Sequence, residues 1–184
     1  MANRKQELVE NLLDYLLQNG VADLSLRPMA AAVGTSARLL IFHFGSKEKL
    51  VAEVLAEMQA RLQISFARLS AVKPGARRVP LLRAFWDWAL AKENYGHLRL
   101  LYQLQTLATQ ENAVYAGYLK GNAMNWLELI QAALPQPQRN STLATLFCSV
   151  FDGLFIEFMS TGDRKRTTAA IDLFVDLARK HISS

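Results

Sequence analysis

The stretch that decides the fold is residues 25–50, SLRPMAAAVGTSARLLIFHFGSKEKL. Small or apolar side chains recur at helical spacing at Met29, Ala30 and Val33. Gly34 follows them, at the point where a helix can end in a left-handed conformation that glycine adopts at little cost. We therefore predict a helix that ends at this glycine. Its small Ala30 would let a second helix cross closely.

A second, short helix is predicted directly after Gly34. Either Thr35 or Ser36 can cap it by accepting a backbone N–H. An apolar pattern then continues to Gly45, and Ser46 can cap a third helix after it. Two short helices that meet at a glycine, followed at once by another helix, are the layout of a helix-turn-helix that reads DNA.

The run from Gly34 to Leu50, of the form GTSxxxLxxHFGSKExL, resembles the N-terminal domain of TetR-family transcriptional repressors. The closing HFGSKEKL is its most diagnostic part. Motif-level detail covers residues 4 to about 50, and beyond them the length, helical texture and domain order agree with the family. The resemblance implies a three-helix DNA-binding domain, a C-terminal helical domain that dimerises, and a pocket for a small-molecule effector. Repressors of this family release DNA when the effector binds.

The chain departs from the family pattern within the second helix. Arg38 stands where the family commonly has glycine, and Leu39 stands where it often has threonine or alanine. Ile41 replaces a tyrosine that often contacts phosphate. Arg38 can grip a guanine at O6 and N7 or bind a phosphate. The operator sequence therefore does not follow from the resemblance.

The second helix, its first residues and two flanking cations are expected to contact DNA. His43 is either a ring buried in the three-helix packing or a DNA contact, and Phe44 is predicted to lie in the core. Arg27 and Lys47 are expected to position phosphates rather than to read bases. The predicted DNA-contacting set is Arg27, Thr35, Ser36, Ala37, Arg38, Leu39, Phe42, His43 and Lys47.

Composition sets the outer bounds of these predictions. At 184 residues and 51% hydrophobic content, the chain can hold two small domains and a sizeable core. The net charge of +5 fits a nucleic-acid partner, but residues 1–50 carry six Lys or Arg against five Asp or Glu, a net of +1. The motif therefore carries the argument for DNA, and the charge adds little. With no secretory signal and no apolar run near the roughly 20 residues that span a bilayer, we expect a cytoplasmic protein.

Helical texture continues along the rest of the chain and predicts an all-α protein of about nine helices. Residues 1–50 would form the DNA-binding domain, and residues 51–184 a helical bundle domain for ligand binding and dimerisation. A break is predicted at Asn94–Gly96. Helices are predicted over residues 4–18, 47–69 (which would join the two domains), 80–92, 96–110, 112–134, 139–161 and 164–182.

The last two helices are predicted to pair with those of a twofold mate in a four-helix interface. The segment 143–159 is apolar on more than one face, so one face can line its own domain and another can meet a partner. The alternative is a core helix in a monomer. Two reading helices held about 34–36 Å apart would favour a near-palindromic operator. The predicted interface comprises Phe151, Leu154, Phe155, Phe158, Ile171, Phe174, Val175 and Ala178.

Aromatic side chains with a few polar neighbours indicate a small-molecule cavity in the second domain, although an aromatic stripe at helical spacing is also what ordinary core provides. No compound is identified by these residues. The predicted pocket comprises Phe85, Trp86, Trp88, Tyr95, Tyr102, Gln103, Tyr115, Tyr118, Met124, Trp126 and Asp152.

Catalysis, a cofactor and a bound metal are not expected. The histidines His43, His97 and His181 are widely spaced, without carboxylates or cysteine at metal-ligand intervals. No phosphate-binding loop or nucleophile elbow is present. The single cysteine, Cys148, has apolar neighbours that predict a buried thiol rather than a redox sensor.

Two other functional classes remain open on the sequence alone. The chain could be a helical small-molecule-binding protein without specific DNA binding, because Ile41 is unusual and the net charge of the N-terminal segment is low. It could also be a protein-interaction module that uses its apolar final helices on a different partner.

Overall fold

The structure is a computed structural model that describes residues 2–21, 24–70, 81–108, 126–132, 134 and 139–182. Every regular element within these ranges is an α-helix, so the all-α prediction is confirmed. The helices are α1 (Ala2–Asn19), α2 (Leu26–Ala32), α3 (Ala37–Phe44), α4 (Lys47–Ser70), α5 (Leu81–Ala89), α6 (Lys92–Ala108), the described part of α7 (126–132), α8 (Ser141–Thr161) and α9 (Arg164–Ile182).

The chain divides into two compact units. The first unit comprises Met1–Ile64 and Glu93–Asn122, and the second comprises Ser65–Lys92 and Ala123–Ser184. Helix α4 therefore begins in the first unit and ends in the second. The predicted functional boundary at residue 50 stays a prediction, since it follows the extent of a sequence motif rather than the compactness of the chain.

The core of the first unit is built on one stripe of α1. Leu8, Leu12 and Leu16 recur every four residues and are almost fully buried, as an amphipathic helix requires. The partners α2, α3 and α4 contribute equally inaccessible side chains at Met29, Leu40, Leu50, Val54, Leu55 and Met58.

The predicted break at Asn94–Gly96 is wrong. The chain turns at Leu90 and Ala91 instead, and α6 already begins at Lys92. A glycine inside a helix costs about 1 kcal/mol relative to alanine, a cost that buried contacts can offset. The side chain of Asn94 is buried here, so tertiary packing holds these residues in helical conformation.

In the second unit, α5 packs against α8 and α9. Trp86 of α5 is fully buried, and its Nε1 donates a hydrogen bond of 2.9 Å to Oγ1 of Thr168 on α9. Nearer the surface, Arg83 of α5 donates from Nη1 to both carboxylate oxygens of Asp172, at 2.6 and 2.7 Å. These contacts fix α9 along α5.

Helix α8 corrects the expectation that no apolar run approaches membrane-spanning length. It has 21 residues, and its mean hydropathy reaches 1.5, enough to cross a bilayer by length and composition alone. One such helix is weak evidence, because apolar helices of soluble proteins pass the same test. The helix also carries Asp152 and Glu157, and its Phe151 and Phe155 are buried in the second unit.

Candidate nucleic-acid interface

The turn between α2 and α3 depends on Gly34. Its φ is +65°, in the left-handed region where a residue with a side chain is strained and glycine is not. Two hydrogen bonds close the end of α2 around it, from Thr35 N to Ala30 O at 2.9 Å and from Gly34 N to Ala31 O at 3.3 Å. Apart from Gly34 itself and its two neighbours in the chain, no heavy atom lies within 4 Å of the position that a Cβ would take there, so the backbone angle rather than crowding requires glycine.

Of the two cap residues that the sequence left open, Ser36 caps α3. Its Oγ accepts a hydrogen bond from Leu39 N at 3.2 Å. The helix ends at Phe44, Gly45 follows it with φ +84°, and Ser46 caps α4 in the same way by accepting from Lys49 N at 3.2 Å. Helix α3 is thus a short helix whose first and last residues are fixed by these capping interactions.

The two faces of α3 differ sharply in burial. Leu40 and Phe44 are 0% and 4% exposed and anchor the helix in the first unit, which confirms Phe44 as a core residue. The opposite face carries Arg38 and three large apolar side chains, with exposed fractions of 48% for Leu39, 37% for Ile41 and 77% for Phe42. We call Leu39, Ile41 and Phe42 the apolar patch of α3.

His43 lies between these two faces. Its side chain is half-buried, and its ring contacts Phe42 and Phe44 at edge-on angles, with centroids 5.4 and 6.4 Å apart. It is therefore neither a fully buried core ring nor a freely exposed one, and its role at DNA stays a prediction.

Positive charge surrounds α3. Residues 24–49 contain Arg27, Arg38, Lys47 and Lys49 against the single acid Glu48, so their net charge is +3. All but Lys47 among these cations are exposed; Lys47 Nζ donates to Leu24 O at 3.4 Å. The net of +1 over residues 1–50 therefore conceals a basic surplus around the helix.

Glu48 sits in the first turn of α4, where free backbone N–H groups favour a negative charge. A backbone hydrogen bond at Glu48 lowers the pKa of its carboxyl, and smaller contributions from Ser46 and Lys47 act in the same direction against desolvation. The N-terminus of α4 thus stabilises the negative charge of Glu48.

All nine predicted DNA-contacting residues lie on described parts of the first unit, and none of them is fully buried. Sequence reasoning left Ile41 and Lys49 out of that set. Ile41 lacks the hydroxyl of a phosphate-contacting tyrosine, yet it follows Arg38 by three residues, a spacing that places two helical side chains on one face, and it is exposed.

An aromatic cluster lies in the second unit. Phe66, Phe85, Trp88 and Trp126 all contact one another, with ring centroids 5.1 to 6.1 Å apart. Trp88 Nε1 donates to Ser65 Oγ at 2.9 Å. Within the described ranges, Trp126 Nε1 is the one buried side-chain nitrogen or oxygen without a hydrogen-bond partner. A buried donor in that state is unusual and calls for a partner.

The structure distributes the predicted pocket residues over several places. Phe85, Trp88 and Trp126 belong to the aromatic cluster, while Trp86 packs beside it against Phe151, Phe155 and Phe158. Asp152 is half-buried in the same unit. Tyr95, Tyr102 and Gln103 lie in the first unit. Tyr115, Tyr118 and Met124 lie outside the described residues.

A small apolar cavity borders the cluster at Phe85. Its volume is about 10 Å³, which is room for about one water molecule, so it is too small for an effector. Cys148 lines it, and burial, followed by the negative charge of Asp152, raises the pKa of the thiol to about 11. Such a thiol is unreactive near neutral pH. The remaining lining residues are Leu82, Ile130, Phe147 and Phe151.

The burial of four predicted interface residues argues against their place in the interface. Phe151, Phe155, Ile171 and Val175 are 0–6% exposed within their own unit and have almost no surface to offer a partner. Leu154, Phe158, Phe174 and Ala178 are half-buried. The large apolar side chains that α8 and α9 do expose are Leu146, Ile156, Leu173 and Leu177.

The described residues contain no group of three or more His, Cys, Asp or Glu side chains that could hold a metal ion.

Comparison with known proteins agrees with this geometry. Residues 13–54 match the sequence model of bacterial regulatory proteins of the tetR family. This match contains the whole of α2 and α3, the turn at Gly34 and the start of α4.

Three solved structures share the fold over nearly the whole chain. A transcriptional regulator from Pseudomonas aeruginosa PAO1 matches with a TM-score of 0.76 and 21% sequence identity, and the match covers 98% of this chain and 92% of that protein. One from Saccharomonospora viridis, in complex with choline, has a TM-score of 0.75 and 19% identity, covering 98% and 97%. A TetR transcription regulator of Haloarcula marismortui ATCC 43049 has a TM-score of 0.72 and 17% identity, covering 98% and 96%. At these identities the likeness establishes a common fold.

Proposed function

We propose that the chain is a TetR-family regulator, because residues 13–54 match the sequence model of that family. In this proposal it is a cytoplasmic repressor that binds a near-palindromic operator as a homodimer and leaves it when a small-molecule effector binds. The observation that carries this proposal is the exposed face of α3. Glycines and serine caps define both ends of that helix, and its surroundings have a net charge of +3. A short, exposed, cation-flanked helix of this kind fits the major groove of DNA.

Dimerisation is supported by the outward faces of the last two helices. On α8, Leu146, Ser149, Gly153 and Ile156 follow at helical spacing and are all exposed. A Cβ built at Gly153 meets no atom within 4 Å, so the surface there is open to a close neighbour. Leu173 and Leu177 add one exposed strip on α9, four residues apart. A second copy would cover both strips in a self-complementary contact.

Effector binding is supported by the aromatic cluster. Four aromatic rings pack together there, and among them Trp126 Nε1 is a buried donor whose hydrogen bond a ligand atom could accept. The S. viridis protein is bound to choline, and aromatic faces suit a cation of that kind. We therefore propose that a small molecule, with a cationic or hydrogen-bond-accepting group, binds beside Trp126.

The DNA-binding proposal is tested by selecting duplexes from a random-sequence pool with the purified protein. The affinity of an enriched duplex and of a scrambled duplex is then measured by fluorescence anisotropy over a salt series. We expect tight binding to the enriched duplex alone, weakening as salt rises because phosphate contacts release counterions. Arg38→Ala should weaken this binding, while Arg68→Ala, an exposed arginine of the second unit, should leave it unchanged.

Failure to enrich any duplex, or equal affinity for both duplexes, would contradict a sequence-specific regulator. A helical small-molecule-binding protein would then be the better description, provided that a choline-type cation changes tryptophan fluorescence and Trp126→Phe abolishes that change. If instead the protein binds DNA and the same compound displaces it, the repressor proposal gains its effector.

A further inference from the structure

We propose that the apolar patch of α3 reads thymine 5-methyl groups, so that Leu39, Ile41 and Phe42 are specificity-determining residues. This inference rests on the proposed DNA binding and extends it to the chemistry of the operator. It predicts that thymines are required at defined positions in each half-site.

The patch is not needed for packing within the chain. Leu40 and Phe44 supply the buried contacts of α3, while the three patch side chains are 37–77% exposed. Phe42 leaves most of its ring in water, which forfeits burial of a large apolar surface. Concentrating three such residues within four positions of an eight-residue helix leaves a surface suited to an external apolar group.

The patch lies on the same face as Arg38. Arg38 precedes Ile41 by three positions and Phe42 by four, spacings at which helical side chains are neighbours. Leu39 precedes Phe42 by three and extends the patch along the helix. Any surface that α3 approaches must therefore offer a partner for a guanidinium group and for apolar side chains together.

The major groove of duplex DNA offers both. Guanine presents two acceptors there, and thymine presents a methyl group beside its single acceptor. The patch side chains carry no hydrogen-bond donor or acceptor, so they can distinguish base pairs only by that methyl group. The exposed cations Arg27 and Lys49 complement the negative charge of the phosphates that flank the groove. The nearby acid Glu48 lies in the first turn of α4, where the helix N-terminus offsets its charge.

The test uses deoxyuridine, which differs from deoxythymidine only by the missing methyl group. The full-length protein is measured by anisotropy on its selected duplex and on copies with one thymine per half-site replaced by uracil. We expect about a fourfold loss of affinity for each methyl group that the patch covers, from the burial free energy of one such group.

Variants assign this effect to the patch. Leu39→Ala and Phe42→Ala should weaken binding to the thymine duplex and reduce the difference between thymine and uracil duplexes. Arg38→Ala should weaken both duplexes by the same factor. Ile64→Ala, which removes a 56% exposed apolar side chain from α4 of the same unit, is the matched control and should change neither affinity. Because all these side chains are exposed, circular dichroism should show that the variants stay folded.

Three results would overturn the inference. Uracil duplexes could bind as tightly as thymine duplexes at every position, or the discrimination could persist unchanged in both patch variants. In either case specific DNA binding would stand and only the assignment of the patch would fall. If no duplex is enriched at all, the proposed function falls together with the inference.

Discussion

The ammonium group of Lys5 lies over the ring of Phe44, with Nζ 5.1 Å from the ring centroid. The same Nζ contacts both carboxylate oxygens of Glu53, at 2.7 and 2.8 Å. One side chain of α1 thus joins the last residue of α3 to α4. The buried end of the candidate reading helix is held by charge as well as by apolar packing.

Lys5→Met should lower the free energy of unfolding by about 1 kcal/mol. The substitution keeps the alkyl stem but removes a cation–π contact and a partly exposed ion pair, each of which is worth up to about 1 kcal/mol. Urea unfolding followed by circular dichroism measures the change. Lys49→Met, at an exposed lysine, serves as the control. Equal stability of both variants would show that the Lys5 contacts contribute nothing.

Thr168→Val should destabilise the protein by about 1–3 kcal/mol, because it leaves the indole donor of fully buried Trp86 without its acceptor. Thr168→Ser keeps the hydroxyl and should cost much less. Thermal unfolding of the two variants, side by side, makes the comparison. Similar losses in both would mean that the methyl group of Thr168, and not its hydroxyl, supports Trp86.

Trp126→Phe should cost about 1 kcal/mol less than Trp88→Phe. Both substitutions shorten a ring of the aromatic cluster, but the first removes a buried donor without a partner and the second removes a hydrogen bond to Ser65. Urea midpoints, measured without added ligand, provide the difference. A larger loss for Trp126→Phe would indicate that the indole N–H is satisfied in solution.

His97 should make the protein less stable in mild acid. Desolvation lowers the pKa of the half-buried ring, and the positive charge of Arg61 adds to this against the opposing influence of the Glu93 carbonyl and Asp14. The unfolded chain therefore binds a proton at higher pH than the folded chain does. The contribution of uncharged His97 to the free energy of unfolding is complete above the ordinary histidine pKa of about 6.5 and is lost as the pH falls from there through the lowered pKa of the folded chain.

The urea midpoint, followed from about pH 8 to about pH 5, tests this pH dependence. His97→Gln keeps a polar side chain without a titrating group, so part of the acid-side loss should disappear. A pH profile identical to that of the unsubstituted protein would exclude His97 as its source.

Local signals explain why the helix-turn-helix was predictable. Gly34 and Gly45 have positive φ angles, and Ser36 and Ser46 accept N–H bonds from residues three positions later. Each of these features is decided within a few residues of chain, so the sequence alone indicates it.

Tertiary context explains the errors. Whether Gly96 ends a helix depends on what surrounds it, and here the helix continues through it. The apolar residues of α8 occupy more than one face, so their pattern does not tell which face meets the chain's own core. Phe155 is buried, whereas its neighbour Ile156 is exposed. Likewise, exposure of Phe42 beside buried Phe44 follows from how α3 docks rather than from residue type.

Exposure of Phe42 and its neighbours has a thermodynamic consequence for the proposed operator binding. Phosphate contacts weaken as the salt concentration rises, whereas burial of apolar surface does not depend on counterion release. Binding through the patch should therefore add a salt-independent share of affinity and a negative heat capacity change. A repressor that binds in this way would keep part of its affinity for the operator when the ionic strength of the cell increases.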